Sequence, residues 1–345
     1  MKTRFLVSAS FLLFSCIVFE CSAFHVPAIL RPRSVLRGGT ATNTPIKMSV
    51  AGGGRVIDSH LHVWSDGKDP FPYAPGCEPP EELRKEATVE KLLHEMDAAG
   101  VSGALIVQPI NHKYDHSYVE AAIKANPARL KGMCLLNPCQ SAEEACAELE
   151  RLSKAGFVGV RFNPGLWPEG LGMDDAVGKA AYAKAGELGM CVGFMCFTGL
   201  DKRVSSIVNL LESSPNTKAV IDHFGFFRQE GAANEMTWAK LLALSEYPQV
   251  HVKVSAFFRV SGDEYPYPDL WLRVRALVQA FGSGRLLYGS DFPFVQQQCG
   301  YVKAAEALRV VRWGDESSLL TDSEYSDVMG RSFEALFGKF PAASS

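Results

Sequence analysis

From residue 55 onward the chain alternates between two kinds of apolar pattern. Short, dense apolar runs of four to eight residues have strand character. Between them lie longer segments whose apolar positions recur every three or four residues, the spacing of one helix face. Strands are expected at 56–62, 101–108, 133–137, 157–163, 191–197, 219–223, 250–256 and 285–289. Helices are expected at 88–99, 117–125, 141–155, 174–188, 202–212, 237–245, 269–281, 301–311 and 323–337. Local signals support these limits. Thr88 is a helix N-cap and Gly100 a helix stop, and Ser141 with Glu144 forms a capping box. Eight strand–helix units in roughly 290 residues predict a single α/β domain, a (β/α)8 TIM barrel over 55–338 with a short tail at 339–345. An open doubly wound sheet is the alternative. It more often carries a glycine-rich loop after its first strand, whereas Gly52, Gly53 and Gly54 precede strand one and read as a linker.

The first 54 residues lack this alternation. Lys2 and Arg4 open a basic start, and an apolar run over 5–19 has signal-peptide length. Cys21, Ser22 and Ala23 supply small residues before a cut at Phe24, so 1–23 is expected to be a signal peptide rather than a membrane anchor. Residues 24–54 carry Arg31, Arg33, Arg37 and Lys47 with several hydroxyl side chains, and no acidic residue occurs between Glu20 and Asp58. That is transit-peptide composition. A signal peptide, then Phe24, then a transit-like stretch resembles the two-part presequence of algae with secondary plastids. A secreted protein with a linker is the alternative, and Met48 offers a downstream start.

Composition narrows the function. The whole chain is 47% hydrophobic and 21% charged with a net charge of -3, an ordinary globular balance that argues against nucleic acid or an anionic membrane as partner. A small-molecule substrate is the expected partner, and oligomeric state is left open. Of nine cysteines, two fall in the signal segment; the other seven have no paired spacing and fit a reducing compartment better than a disulfide framework.

The polar residues that interrupt the strands gather at their carboxyl ends, where barrels of this kind hold their active sites. His60 and His62 end strand one, and alternation points both imidazoles to the same side. Two neutral imidazoles make half of a metal site, which His223 after strand six and Asp291 after strand eight can complete. Gln108 ends strand two, Arg161 and Asn163 stand on strand four, and Lys253 and Ser255 on strand seven. On strands four and seven the apolar residues alternate with these polar ones, so the polar face is expected to meet the barrel interior. Trp64, Phe71, Tyr73, Trp167, Phe226, Phe227 and Phe294 follow strand ends and can wall a pocket; His112 and His116 lie in a loop that can reach it.

His60-x-His62, His223 and the run Gly289-Ser290-Asp291-Phe292-Pro293 resemble the amidohydrolase superfamily. More narrowly, the chain resembles amidohydrolase-related family 2, metal-dependent barrel hydrolases that include sugar-acid lactonases and pyrone-dicarboxylate lactonase. The runs Val158-Gly159-Val160-Arg161-Phe162 and Val252-Lys253-Val254-Ser255 are similar to that group's strands four and seven. Binuclear members carry a bridging lysine on strand four and a histidine on strand five. This chain has Arg161 and the cysteine-containing run Gly193-Phe194-Met195-Cys196-Phe197 instead, so one ion is expected.

The resemblance implies a hydrolase of a small cyclic ester or amide, most simply a lactone with a carboxylate. His60, His62, His223 and Asp291 would hold one divalent ion, with zinc expected, and Asp291 and His223 would be catalytic. Arg161, Asn163, Gln108, Trp64 and Lys253 are the expected substrate-binding residues. A buried guanidinium needs an anion, either a substrate carboxylate or a structural acid such as Asp58, and Lys253 raises the same question. Two alternatives stay open: an aromatic-acid decarboxylase of the same group, and a non-catalytic ligand-binding barrel. Some lactonases of this group work without metal, in which case the histidines would donate hydrogen bonds to the carbonyl oxygen and Asp291 alone would activate water.

Overall fold

The computed structural model describes residues 54–342 apart from residues 230, 311 and 314–316. The expected signal segment, the transit-like stretch up to residue 53 and the last three residues of the tail lie outside the described residues. Eight parallel strands form one sheet in sequence order: β1 Ile57–Leu61, β2 Gly103–Val107, β3 Leu130–Leu135, β4 Phe157–Phe162, β5 Cys191–Phe194, β6 Ala219–Ile221, β7 Val250–Ser255 and β8 Leu286–Gly289. The ends of the sheet meet just beyond β8. Leu61 pairs in parallel with Phe292, His62 N donates to Phe292 O at 2.7 Å, and Asp291 N donates to His60 O at 2.8 Å. With helices following the strands, this is a TIM-type barrel.

The helices are α1 Val89–Ala99, α2 Ser117–Ala125, α3 Ala142–Lys154, α4 Ala176–Glu187, α5 Val204–Ser213, α6 Glu235–Ala243, the single turn α7 Phe257–Val260, α8 Trp271–Phe281, α9 Tyr301–Val310, α10 Asp322–Ser326 and α11 Ser332–Phe337. Thr88 caps α1, Ser141 and Glu144 form the capping box of α3, and Gly100 ends α1 with a φ of 67°. The expected helix over 323–337 is interrupted by a wider turn, Asp327–Arg331. Gly330 in that turn lies so close to the Arg55 carbonyl that a Cβ would stand 2.0 Å from its oxygen.

Two apolar layers result. Val250, Val252 and Val254 of β7 join the outer core between strands and helices, as their parity requires. Inside the barrel, Ile57, Val107, Met133, Val220 and Leu287 pack together, and Phe333, Phe337 and Phe340 cluster with them. Arg161 of β4 and Lys253 and Ser255 of β7 are buried polar side chains toward the carboxyl ends of their strands.

Candidate active site

His60 and His62 project from the carboxyl end of β1 with ring centroids 5.2 Å apart. Burial, then the charges of Lys253 and Arg161, holds the His60 imidazole well below its ordinary pKa. Burial, then Arg161, takes His62 down to about 3. Both rings are therefore neutral at pH 7, the state a metal ligand requires. His62 Nδ1 lies 2.8 Å from the Val107 carbonyl, so it carries the hydrogen and Nε2 presents the lone pair. That Nε2 is 3.6 Å from Asp291 Oδ1, and His60 Nε2 is 4.0 Å from the same oxygen.

Asp291 adopts a left-handed backbone with φ of 62° immediately after β8, which turns its carboxylate back over the barrel mouth. Its Oδ2 accepts from Arg259 Nε at 2.5 Å, while Oδ1 faces the two imidazoles. Burial raises the Asp291 carboxyl above its ordinary value despite Arg259. The ligand atoms of His60, His62 and Asp291 all lie within 4.8 Å of one another. Three buried nitrogen and oxygen donors of this kind fit one divalent ion.

His223 stands beside this trio rather than within it. Its ring centroid is 4.2 Å from that of His60, and its Nδ1 is 2.7 Å from Ser255 Oγ. Strand β6 stops at Ile221, two residues short of the expected limit, because His223, Phe224, Gly225 and Phe226 all have positive φ, 49°, 54°, 65° and 54°. This left-handed turn swings the imidazole to the mouth and lays the Phe226 ring against it, 5.0 Å between centroids.

Beneath the histidines lies a buried ionic cluster. Asp222 has its two carboxylate oxygens 3.2 Å from Arg161 Nη2 and 3.1 Å from Lys253 Nζ, and Oδ1 is also 3.2 Å from His60 Nδ1. Burial alone would raise the Asp222 carboxyl, but Lys253 and Arg161 outweigh it and the net shift is downward. The structure does not bring Lys253 to the substrate cavity: it is fully buried, with Nζ 2.9 Å from His60 Nδ1. Asp58, the acid considered for Arg161, instead accepts from the backbone N–H groups of His60 and Ser290.

A cavity of about 280 Å³ opens above the trio. Trp64, Gln108, Arg161 and Asn163 line it, with His62, His223 and Asp291 on its floor and Ile110, Met195, Phe197, Phe226 and Phe294 as apolar walls. Phe71, Tyr73, Trp167 and Phe227 do not line it. Nor do His112 and His116; each of these histidines accepts a backbone hydrogen bond elsewhere, from Ser65 N and Leu135 N. Cys196 is buried in the outer core, where burial pushes its thiol up to about 12.

Two residues were not singled out from the sequence. Asp222 directly precedes His223, and the need of Arg161 and Lys253 for a counter-charge was the available signal. Arg259 gave none. It sits on the short turn α7, lies over the Phe294 ring at 4.8 Å, and reaches Asp291 only because the chain folds back there.

An eight-stranded parallel barrel with paired histidines and an aspartate converging at its mouth defines a barrel hydrolase with a candidate metal centre. Residues 57–338 match the amidohydrolase family, and the chain belongs to that family as a hydrolase. The chain is 28% identical over 260 residues to 4-sulfomuconolactone hydrolase of Rhizobium radiobacter, covering 74% of this chain and 81% of the relative. It is 27% identical over 251 residues to 2-pyrone-4,6-dicarboxylate hydrolase of Comamonas testosteroni, covering 69% and 76%. A solved amidohydrolase from Burkholderia multivorans with bound zinc shares the fold, with TM-score 0.64, 19% identity, and coverage of 83% of this chain and 100% of that one.

Proposed function

We propose that this protein hydrolyses a small carboxylate-bearing lactone with the help of one divalent ion, zinc in the first instance, held by His60, His62 and Asp291 with His223 at their side. The observation that carries the reading is the convergence of those donors with two guanidiniums, Arg161 and Arg259, on one cavity. Relatives at 27–28% identity that act on lactones bearing acid groups support it. Zinc in such a donor set supplies a Lewis acid for the carbonyl and lowers the pKa of water.

The chain's own residues do the rest. Arg259 holds one carboxylate oxygen of Asp291 and leaves the other free between the imidazoles. That oxygen accepts a proton from water and returns it to the ring oxygen as the ester bond breaks. Arg161 has an unpaired Nε–H for a substrate carboxylate, and the apolar walls exclude bulk water from the reacting carbonyl.

A second arrangement has one observation in its favour. Arg161 Nη2 reaches the histidines, 3.4 Å from His60 Nε2, so the guanidinium can polarise a carbonyl without an ion, whereas His62, with its hydrogen on Nδ1, cannot donate to it. Metal analysis of the purified enzyme, followed by chelation, separates the two: about one ion per chain and loss of turnover on its removal are expected. Product analysis on a lactone panel tests the reaction itself. Formation of one new carboxylic acid as the lactone ring opens supports hydrolysis, and carbon dioxide release would make the protein a decarboxylase. The reading extends to place: the basic, acid-free stretch behind a signal-like run supports delivery to a plastid.

A further inference from the structure

Three polar side-chain atoms of cavity-lining residues are buried and make no hydrogen bond among the described residues: Gln108 Oε1, Trp64 Nε1 and Arg161 Nε. The last two are N–H donors. They suit the oxygens of a carboxylate or a lactone. Gln108 is different. It is 1% exposed, and its Nε2 lies 3.0 Å from the Lys113 carbonyl oxygen and 2.8 Å from that of Asp115. Two carbonyl acceptors on one side fix the orientation of the amide, because exchanging its O and N would set oxygen against oxygen twice. Both N–H hydrogens are thereby engaged, and Oε1 is left as a fixed, unpartnered acceptor on a residue that lines the cavity.

An amide oxygen left unpaired in a buried setting is costly, so such a group ordinarily marks a partner that arrives later. Neither the carboxylate nor the carbonyl of a lactone can supply it, since neither has a hydrogen to give. We propose that Gln108 is a specificity residue whose Oε1 accepts a hydrogen bond from a ring hydroxyl, so that the substrate is a hydroxylated lactone carboxylate. This rests on the lactone reading for the reaction, but the preference for a hydroxyl is a property of binding and can be measured without turnover.

The probes are cyclohexanecarboxylate and its ring-hydroxylated isomers, which have the ring, the acid and the hydroxyl but no ester. Titration calorimetry on the full chain is expected to show at least one hydroxylated isomer binding about tenfold or more tightly than the parent acid. In Gln108→Met, of similar length but without the acceptor, that ratio is expected to fall towards one. Equal binding of the parent and every isomer overturns the assignment, as it would be if a water satisfied Gln108. Survival of the ratio in Gln108→Met overturns it too. If that variant does not fold, the wild-type ratio alone decides. Turnover of the matching lactones is read separately: a hydroxyl preference without turnover upholds Gln108 and removes the lactone reading.

Discussion

Replacing Asp222 by asparagine removes one negative charge from beneath the histidines and strands two positive ones. The carboxylate is 3.2 Å from Arg161 Nη2 and 3.1 Å from Lys253 Nζ. Asp222 and Lys253 are 0% exposed and Arg161 is 7% exposed, so water cannot take the place of the carboxylate. Breaking a buried pair from one side typically costs about 3–5 kcal/mol, because the surviving charge is left uncompensated. For a domain of this size that corresponds to a fall in Tm of roughly 6–20 °C. The loss should also depend on pH. Burial holds the Lys253 ammonium below its ordinary pKa, Asp222 opposes that shift, and Arg161 adds to it. Without Asp222 the folded-state value falls further, while the unfolded chain keeps a lysine near about 10.4. Between those two values the unfolded state binds more protons than the folded one, so stability rises with pH. Urea unfolding of Asp222→Asn should therefore show its largest deficit against wild type at and below the variant's folded Lys253 pKa, and a shrinking one from there up to the wild-type folded value, which itself lies below the ordinary lysine range. A deficit below about 1 kcal/mol, or one that stays constant across that range, would refute the view that the cluster is held by this carboxylate.

Asp291→Asn keeps the shape of the side chain but cannot take up a proton, so turnover should fall at least about 100-fold with binding largely retained; more than about a tenth of wild-type turnover would remove Asp291 as the shuttle. Arg161→Lys keeps the charge and loses the planar fork, and steady-state kinetics should show a raised KM for anionic substrates with a smaller change in kcat. A fluorescent fusion of residues 1–55 should enter the plastid and Phe24→Ala should stall it outside, whereas secretion of both would end the targeting proposal.

Features governed by neighbours along the chain were legible in the sequence. The caps Thr88 and Ser141, the stop at Gly100 and the inward parity of Arg161 and Lys253 all follow from local chemistry or from alternation, which operate over a few residues. The shared direction of His60 and His62 followed in the same way. What the sequence withheld was the identity of partners across the barrel. Arg161 could be seen to need an anion, but whether that was Asp58 or Asp222 depends on how eight strands stagger around a closed sheet. Arg259 was hidden for a related reason: it lies on the single turn α7, and only the return of that turn over the mouth sets it against Asp291. The early end of β6 was also invisible. Nothing in His223-Phe224-Gly225-Phe226 beyond the glycine announces four left-handed residues in succession.

That turn sets opposing pressures on the same few residues. A left-handed backbone costs about 1–2 kcal/mol for each residue that carries a Cβ, and His223, Phe224 and Phe226 each carry one. Glycine or asparagine at 224 or 226 would relieve part of that cost but give up a buried aromatic ring, and at 226 the ring that lies against His223. A population evolved only under heat would be drawn to those exchanges, while one evolved under demand for turnover would reject them. Lineages founded from this one sequence under the two regimes should part first at these positions, well before they differ in the outer helices.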